Sequence, residues 1–124
     1  MSAALLHDRL ATTALFYAIA VGVWGMLLAA RGRGPDGNFL GSVVVGQVLV
    51  LVQASLGLWL MVATGARPGR TLHLLYGTIG VLIWPLVFTY ARGENSRRES
   101  ALFGAGSLFL AGLLLRAIST GGAP

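Results

Sequence analysis

Two side chains in this sequence have the chemistry to hold a metal, and they are its only histidines, His7 and His73. A neutral imidazole offers one lone pair to a metal while its other nitrogen takes a hydrogen bond that fixes the tautomer. Each histidine stands at the N-terminal end of a long apolar run, His7 before the first and His73 in the third. If consecutive runs are antiparallel helices, the first and third point the same way. Both imidazoles then lie at one depth on one side of the bundle, on helices diagonal to each other. Two rings so placed can face each other with a flat group between them, which is the geometry of bis-histidine haem ligation. Small residues follow each histidine on its own helical face: Ala11 and Ala14 after His7, Gly77 and Gly80 after His73. These cleared tracks leave room for a macrocycle. Arg9, Arg70 and Arg116 fall near the same membrane face and suit carboxylate groups such as haem propionates. The competing reading is plain: interfacial histidines also serve as headgroup contacts, and small residues recur by chance in a chain with 18 glycines.

The elements that must position these residues are strongly marked. The chain of 124 residues is 56% hydrophobic and 10% charged, against about 25% charged in a soluble domain. It has too little polar surface to face water on all sides, so its solvent is a lipid bilayer. Four apolar runs, Leu10–Ala30, Phe39–Ala63, Leu72–Ala91 and Ser100–Ser119, are each long enough for a helix to cross a hydrocarbon core of about 30 Å. Spanning backbone must satisfy its own hydrogen bonds, so helices are expected at about 10–30, 39–63, 72–91 and 97–119. The first run is read as a span and not a removable leader, being too long and lacking a small-x-small cleavage pattern. The gaps carry turn chemistry: Pro35, Gly37 and Asn38 in the first, Pro68, Gly69 and a Thr71 cap in the second, and Ser96 with Glu99 in capping-box register in the third. Such short connections make neighbours antiparallel. The expected fold is an all-α, up-down-up-down four-transmembrane-helix bundle forming one domain over residues 1–124, with no internal repeat between its first and second helix pairs.

Within the helices, Gly22, Gly25, Gly41, Gly46, Gly57, Gly104, Gly106 and Gly112 are expected to let backbones approach closely. Pro85 lies inside the third helix, where it kinks the chain and frees the carbonyl of Val81. Gln47 and Gln53 are the main polar groups of the second helix, suited to interhelical hydrogen bonds or to contact with a haem or a quinone. Tyr17, Tyr76, Tyr90, Trp24, Trp59 and Trp84 read as interface anchors or core aromatics.

Charge narrows the possibilities. All nine basic residues are arginines and the net charge is +5. Most lie between apolar runs, the pattern of headgroup anchoring, and no basic stripe suggests a nucleic-acid partner. The face with Arg9, Arg67, Arg70 and Arg116 opposes the face with Arg31, Arg33, Arg92, Arg97 and Arg98. The positive-inside rule therefore puts both termini outside the cytoplasm, in what reads as a bacterial inner membrane. The absence of cysteine excludes disulfides, thiolate zinc sites and Cys-ligated clusters. The acidic residues Asp8, Asp36, Glu94 and Glu99 all lie at helix ends or in gaps, so no mid-membrane carboxylate serves a proton-coupled exporter. No nucleophile–base pair or phosphate loop marks a hydrolase or kinase.

The segment LHDRLATTALFYAIAVGVWGMLL resembles the first helix of one half of the haem A synthase family, in which a histidine–arginine motif opens a helix; here Asp8 stands between His7 and Arg9. The segment VQASLGLWLMVATGARPGRTLHLLYGTIGVLI resembles the helices that follow, where a Gln-x-x-x-Gly segment leads to the second histidine. Gln53, Gly57 and His73 match it. The resemblance covers most of the chain but one half of an eight-helix protein, and a cytochrome b561-like bundle is similar. It implies that His7 and His73 are axial ligands of haem b iron, held toward the extracytoplasmic side. It does not extend to catalysis, because the family's glutamate before the first histidine is missing, with Ala3 and apolar neighbours in that region, and the cysteine pair is absent. The expected function is electron transfer, alone or as a small subunit of a larger respiratory or photosynthetic redox complex or a homo-oligomer, and not a stand-alone enzyme. The alternative is a haem-free structural subunit that packs against larger partners.

Overall fold

The computed structural model describes residues 2–121, which form four helices: α1 (Ala3–Ala30), α2 (Gly37–Thr64), α3 (Leu72–Ala91) and α4 (Arg97–Gly121). All four are long and apolar enough to cross a membrane, and the chain is an integral membrane protein. Each helix packs on its sequence neighbours and α4 closes the ring against α1. Among the described residues neither diagonal pair, α1 with α3 or α2 with α4, comes into backbone contact. The result is the expected up-down-up-down bundle.

The first helix starts at Ala3, not near residue 10. Ser2 caps it, its Oγ accepting from the Leu5 amide at 3.1 Å, and Asp8 and Arg9 are exposed on the helix's outer side. Polar residues in the opening turns can thus be solvated without ending the helix. His7 therefore sits inside a formed helix. The second helix starts at Gly37, capped by Asp36 through a 2.9 Å bond from Phe39, and ends at Gly65, whose φ of 73° closes the helix in the left-handed conformation that glycine favours. Thr71 makes no side-chain cap bond to α3; the turn is held instead by His73 N–H donating to the Arg70 carbonyl at 3.0 Å. At α4 the Ser96 amide donates to Glu99 Oε1 at 3.1 Å, as the capping register predicts, and the Ser96 hydroxyl bonds the same carboxylate. Glu99 is fully buried there, and Arg98 pairs with its other oxygen at 2.8 Å. Its place in the first turn of α4 keeps it away from mid-membrane.

The core is uneven along the bundle. The large buried side chains Phe39, Phe103 and Trp84 gather in the half next to the α1–α2 and α3–α4 turns, where Trp24, Phe39, Phe103 and Phe88 stack edge to face. Helices α1 and α4 approach closely through their backbones, where a Cβ on Gly25 would lie 2.8 Å from the Gly104 backbone. Gly22, Gly46 and Gly106 also pack closely, on Leu108, Trp84 and Val87. Gly41 and Gly112 do not: a Cβ on either would meet nothing within 4 Å. They lie on outward helix surfaces, so close packing within the chain does not explain them. Pro85 leaves the Val81 carbonyl without its helical donor, and Gln47 Nε2 of α2 supplies one at 3.0 Å. Trp84 is anchored by its indole N–H donating to Ser107 Oγ at 2.8 Å.

Candidate functional site: a facing histidine pair

The other end of the bundle holds the two imidazoles. His7 of α1 and His73 of α3 bridge the diagonal, with ring centroids 6.3 Å apart and planes at 72°. Each ring is held by the neighbouring even-numbered helix. His7 Nδ1–H donates to the Gln53 carbonyl at 3.1 Å, and His73 Nδ1–H donates to the Ala117 carbonyl at 2.6 Å. A carbonyl oxygen can only accept, so both rings carry their proton on Nδ1 and present a bare lone pair on Nε2. Among the described residues no hydrogen bond reaches either Nε2.

One turn beyond each accepting carbonyl is a glycine on which the ring lies. A Cβ on Gly57 would stand 2.9 Å from His7 Cε1, and one on Gly121 would stand 2.7 Å from His73 Cε1 and Nδ1. Both positions thus clear space for an imidazole. The amide Oε1 of Gln53 is buried without a partner among the described residues, beside the carbonyl that holds His7.

The remaining site residues expected from sequence are placed as follows. Gly77 opens onto space one turn below His73, with no atom within 4 Å of a Cβ there, whereas a Cβ on Gly80 would rest 3.4 Å from Leu110 of α4. Ala11 is half-buried and Ala14 is part of the buried core. Arg9, Arg70 and Arg116 are exposed at this end of the bundle. The Arg70 backbone ties the α2–α3 turn to α4 by donating to the Thr120 carbonyl at 2.9 Å, while the Arg116 guanidinium lies 5.8 Å from the Tyr76 ring centroid. Ala117 and Gly121 were not singled out by the sequence. The signal that points to them is spacing: Gln53 and Gly57 follow His7 across the first turn much as Ala117 and Gly121 follow His73 across the third.

The residues present fit a haem iron between the rings. His7 and His73, with ring centroids 6.3 Å apart, would offer it two imidazole nitrogens from diagonal helices. Both imidazoles are in a tautomer that leaves Nε2 available to a metal, and both have a backbone carbonyl partner at Nδ1. Among the described residues no cluster of three or more metal-ligating side chains exists. Compared with known protein families, curated proteins and solved structures, the chain matches none.

Proposed function

We propose that the protein is a b-type haem-binding membrane protein that carries electrons, alone or as the small subunit of a larger membrane redox complex. The observation that carries this reading is the facing pair of Nδ1-protonated imidazoles on diagonal helices. His7 and His73 would hold the iron, and Arg9, Arg70 and Arg116 would meet the propionates. The bound group supplies one-electron chemistry, whose potential depends on axial ligands, hydrogen bonding and burial. The chain's own contribution is to fix the plane and tautomer of both rings through Nδ1–H donation and to frame them with apolar helices. We place both termini outside the cytoplasm of a bacterial inner membrane, with the histidine end facing out.

Purified protein with haem b should give paired Soret and α-band absorption. His73→Ala and His7→Ala should each remove the six-coordinate low-spin spectrum while leaving the helical content intact. A colourless protein that folds normally and takes up no added haem overturns the reading and leaves the haem-free structural subunit. That second reading has its own support in the open surfaces at Gly41 and Gly112, where another helix could approach closely.

A further inference from the structure

The two halves of the histidine site are built by one device. On each side an imidazole from an odd-numbered helix donates Nδ1–H to a carbonyl on the next helix, and its ring lies on the glycine four residues after that carbonyl. The halves are His7 with Gln53 and Gly57, and His73 with Ala117 and Gly121. The backbone geometry explains the spacing. In a helix, residue i and residue i+4 share a face, and the carbonyl of i points toward i+4. A ring lying against i+4 in the position seen here reaches that carbonyl across a residue with no side chain. The carbonyl is already the acceptor of an intrahelical bond, and its second lone pair takes the imidazole. With alanine at i+4, the Cβ would come within 2.9 Å of His7 or 2.7 Å of His73, so the ring must shift relative to its acceptor.

We infer that Gly57 and Gly121 are positioning residues: each, with the carbonyl one turn before it, sets the plane and the tautomer of one imidazole, so that the α1–α2 and α3–α4 hairpins supply equivalent halves of one metal-ligand pair. This deepens the proposed function, since it says how the chain keeps both Nε2 atoms bare, but it concerns the rings themselves and can be read without haem. It also gives Gly57 a role beyond helix packing, and it gives the last turn of α4 a role in the site.

The test uses the full chain in detergent micelles, labelled with 15N-histidine and without added haem. The chain has two histidines, so two imidazoles give all the signals, and His7→Asn and His73→Asn assign them. In the unmodified protein both rings should be in the Nδ1–H form. Gly57→Ala should shift the His7 signals toward a tautomer mixture and leave those of His73 in place, and Gly121→Ala should do the reverse. Gly41→Ala, where the added methyl meets open space, should change neither. The inference is overturned if either ring of the unmodified protein is in the Nε2–H form, a result that stands even if a glycine variant fails to fold. It is also overturned if folded Gly57→Ala and Gly121→Ala leave both rings unchanged. A separate titration with haem b tests the proposed function: failure to bind haem while the tautomers respond as described removes that function and keeps the positioning role.

Discussion

Gln53 contributes to the histidine site through its backbone, and its side chain is a separate matter. The carbonyl holds His7 at 3.1 Å, whereas the amide Oε1 is buried and unpartnered among the described residues. A buried polar atom without a partner costs about 1–3 kcal/mol. Gln53→Leu removes that atom and keeps the carbonyl, so the haem-free protein should retain the Nδ1–H form of His7. Its stability in detergent should be unchanged or higher by up to about 1–3 kcal/mol. Loss of the His7 tautomer on this substitution would mean that the side chain, not the backbone, orients the ring. At this scale the sequence showed the histidines plainly, because two imidazoles at matching helix starts stand out against apolar surroundings. It did not show Gly121 or Ala117. With 18 glycines in the chain, no single small residue carries a signal, and only the folded backbone reveals which one lies under a ring.

The third helix owes its continuity to a neighbour. Pro85 removes the donor for the Val81 carbonyl, yet α3 runs unbroken from Leu72 to Ala91, and Gln47 of α2 fills the gap at 3.0 Å. Interhelical hydrogen bonds in membranes average about 0.6 kcal/mol and reach about 1.7 kcal/mol. Gln47→Leu loses that bond but also removes a buried, unpartnered Oε1, so its net cost should not exceed that order. In a Pro85→Ala background, where Val81 regains its helical donor, the same change should cost less. A double-mutant cycle on unfolding in mixed detergent should give a coupling of about 0.5–1.5 kcal/mol; additive effects would mean that the glutamine does not serve the proline. The freed carbonyl and a polar role for Gln47 were each legible in the sequence. Their pairing was not, because it depends on the rotation of α2 about its axis, and a helix apolar on nearly every side gives little periodic signal to fix that rotation. The same limitation applies to Gly41 and Gly112, which sequence could not distinguish from Gly25 and Gly104. Helix starts were legible where a cap borders an apolar run, as at Asp36 and Ser96, and displaced where charged residues fill the opening turns, as at Asp8 and Arg9.

The bundle as a whole is polarised. One end holds the aromatic stack and the buried Glu99, and the Ser100 hydroxyl ties α4 to the Arg33 carbonyl of the α1–α2 turn at 2.6 Å. The other holds the imidazoles, with the α2–α3 turn tied to α4 through Arg70 and Thr120. Four crossings require the N-terminal end of α1, the α2–α3 turn and the C-terminal end of α4 to share one side of the membrane, whichever way the molecule is inserted. Because the chain contains no cysteine, single cysteines can report this directly. Cysteines replacing the exposed Arg9 and Arg67 should react alike with an impermeant thiol reagent, and those replacing the exposed Arg31 and Arg92 should react from the opposite side. Arg9 and Arg67 should be labelled in intact cells, and Arg31 and Arg92 only after the membrane is opened, given the arginine excess at their end. The reverse pattern would put the histidine end in the cytoplasm, while leaving the bundle intact. A mixed pattern, with Arg9 and Arg67 on different sides, would overturn the four-span topology and with it the facing of His7 and His73.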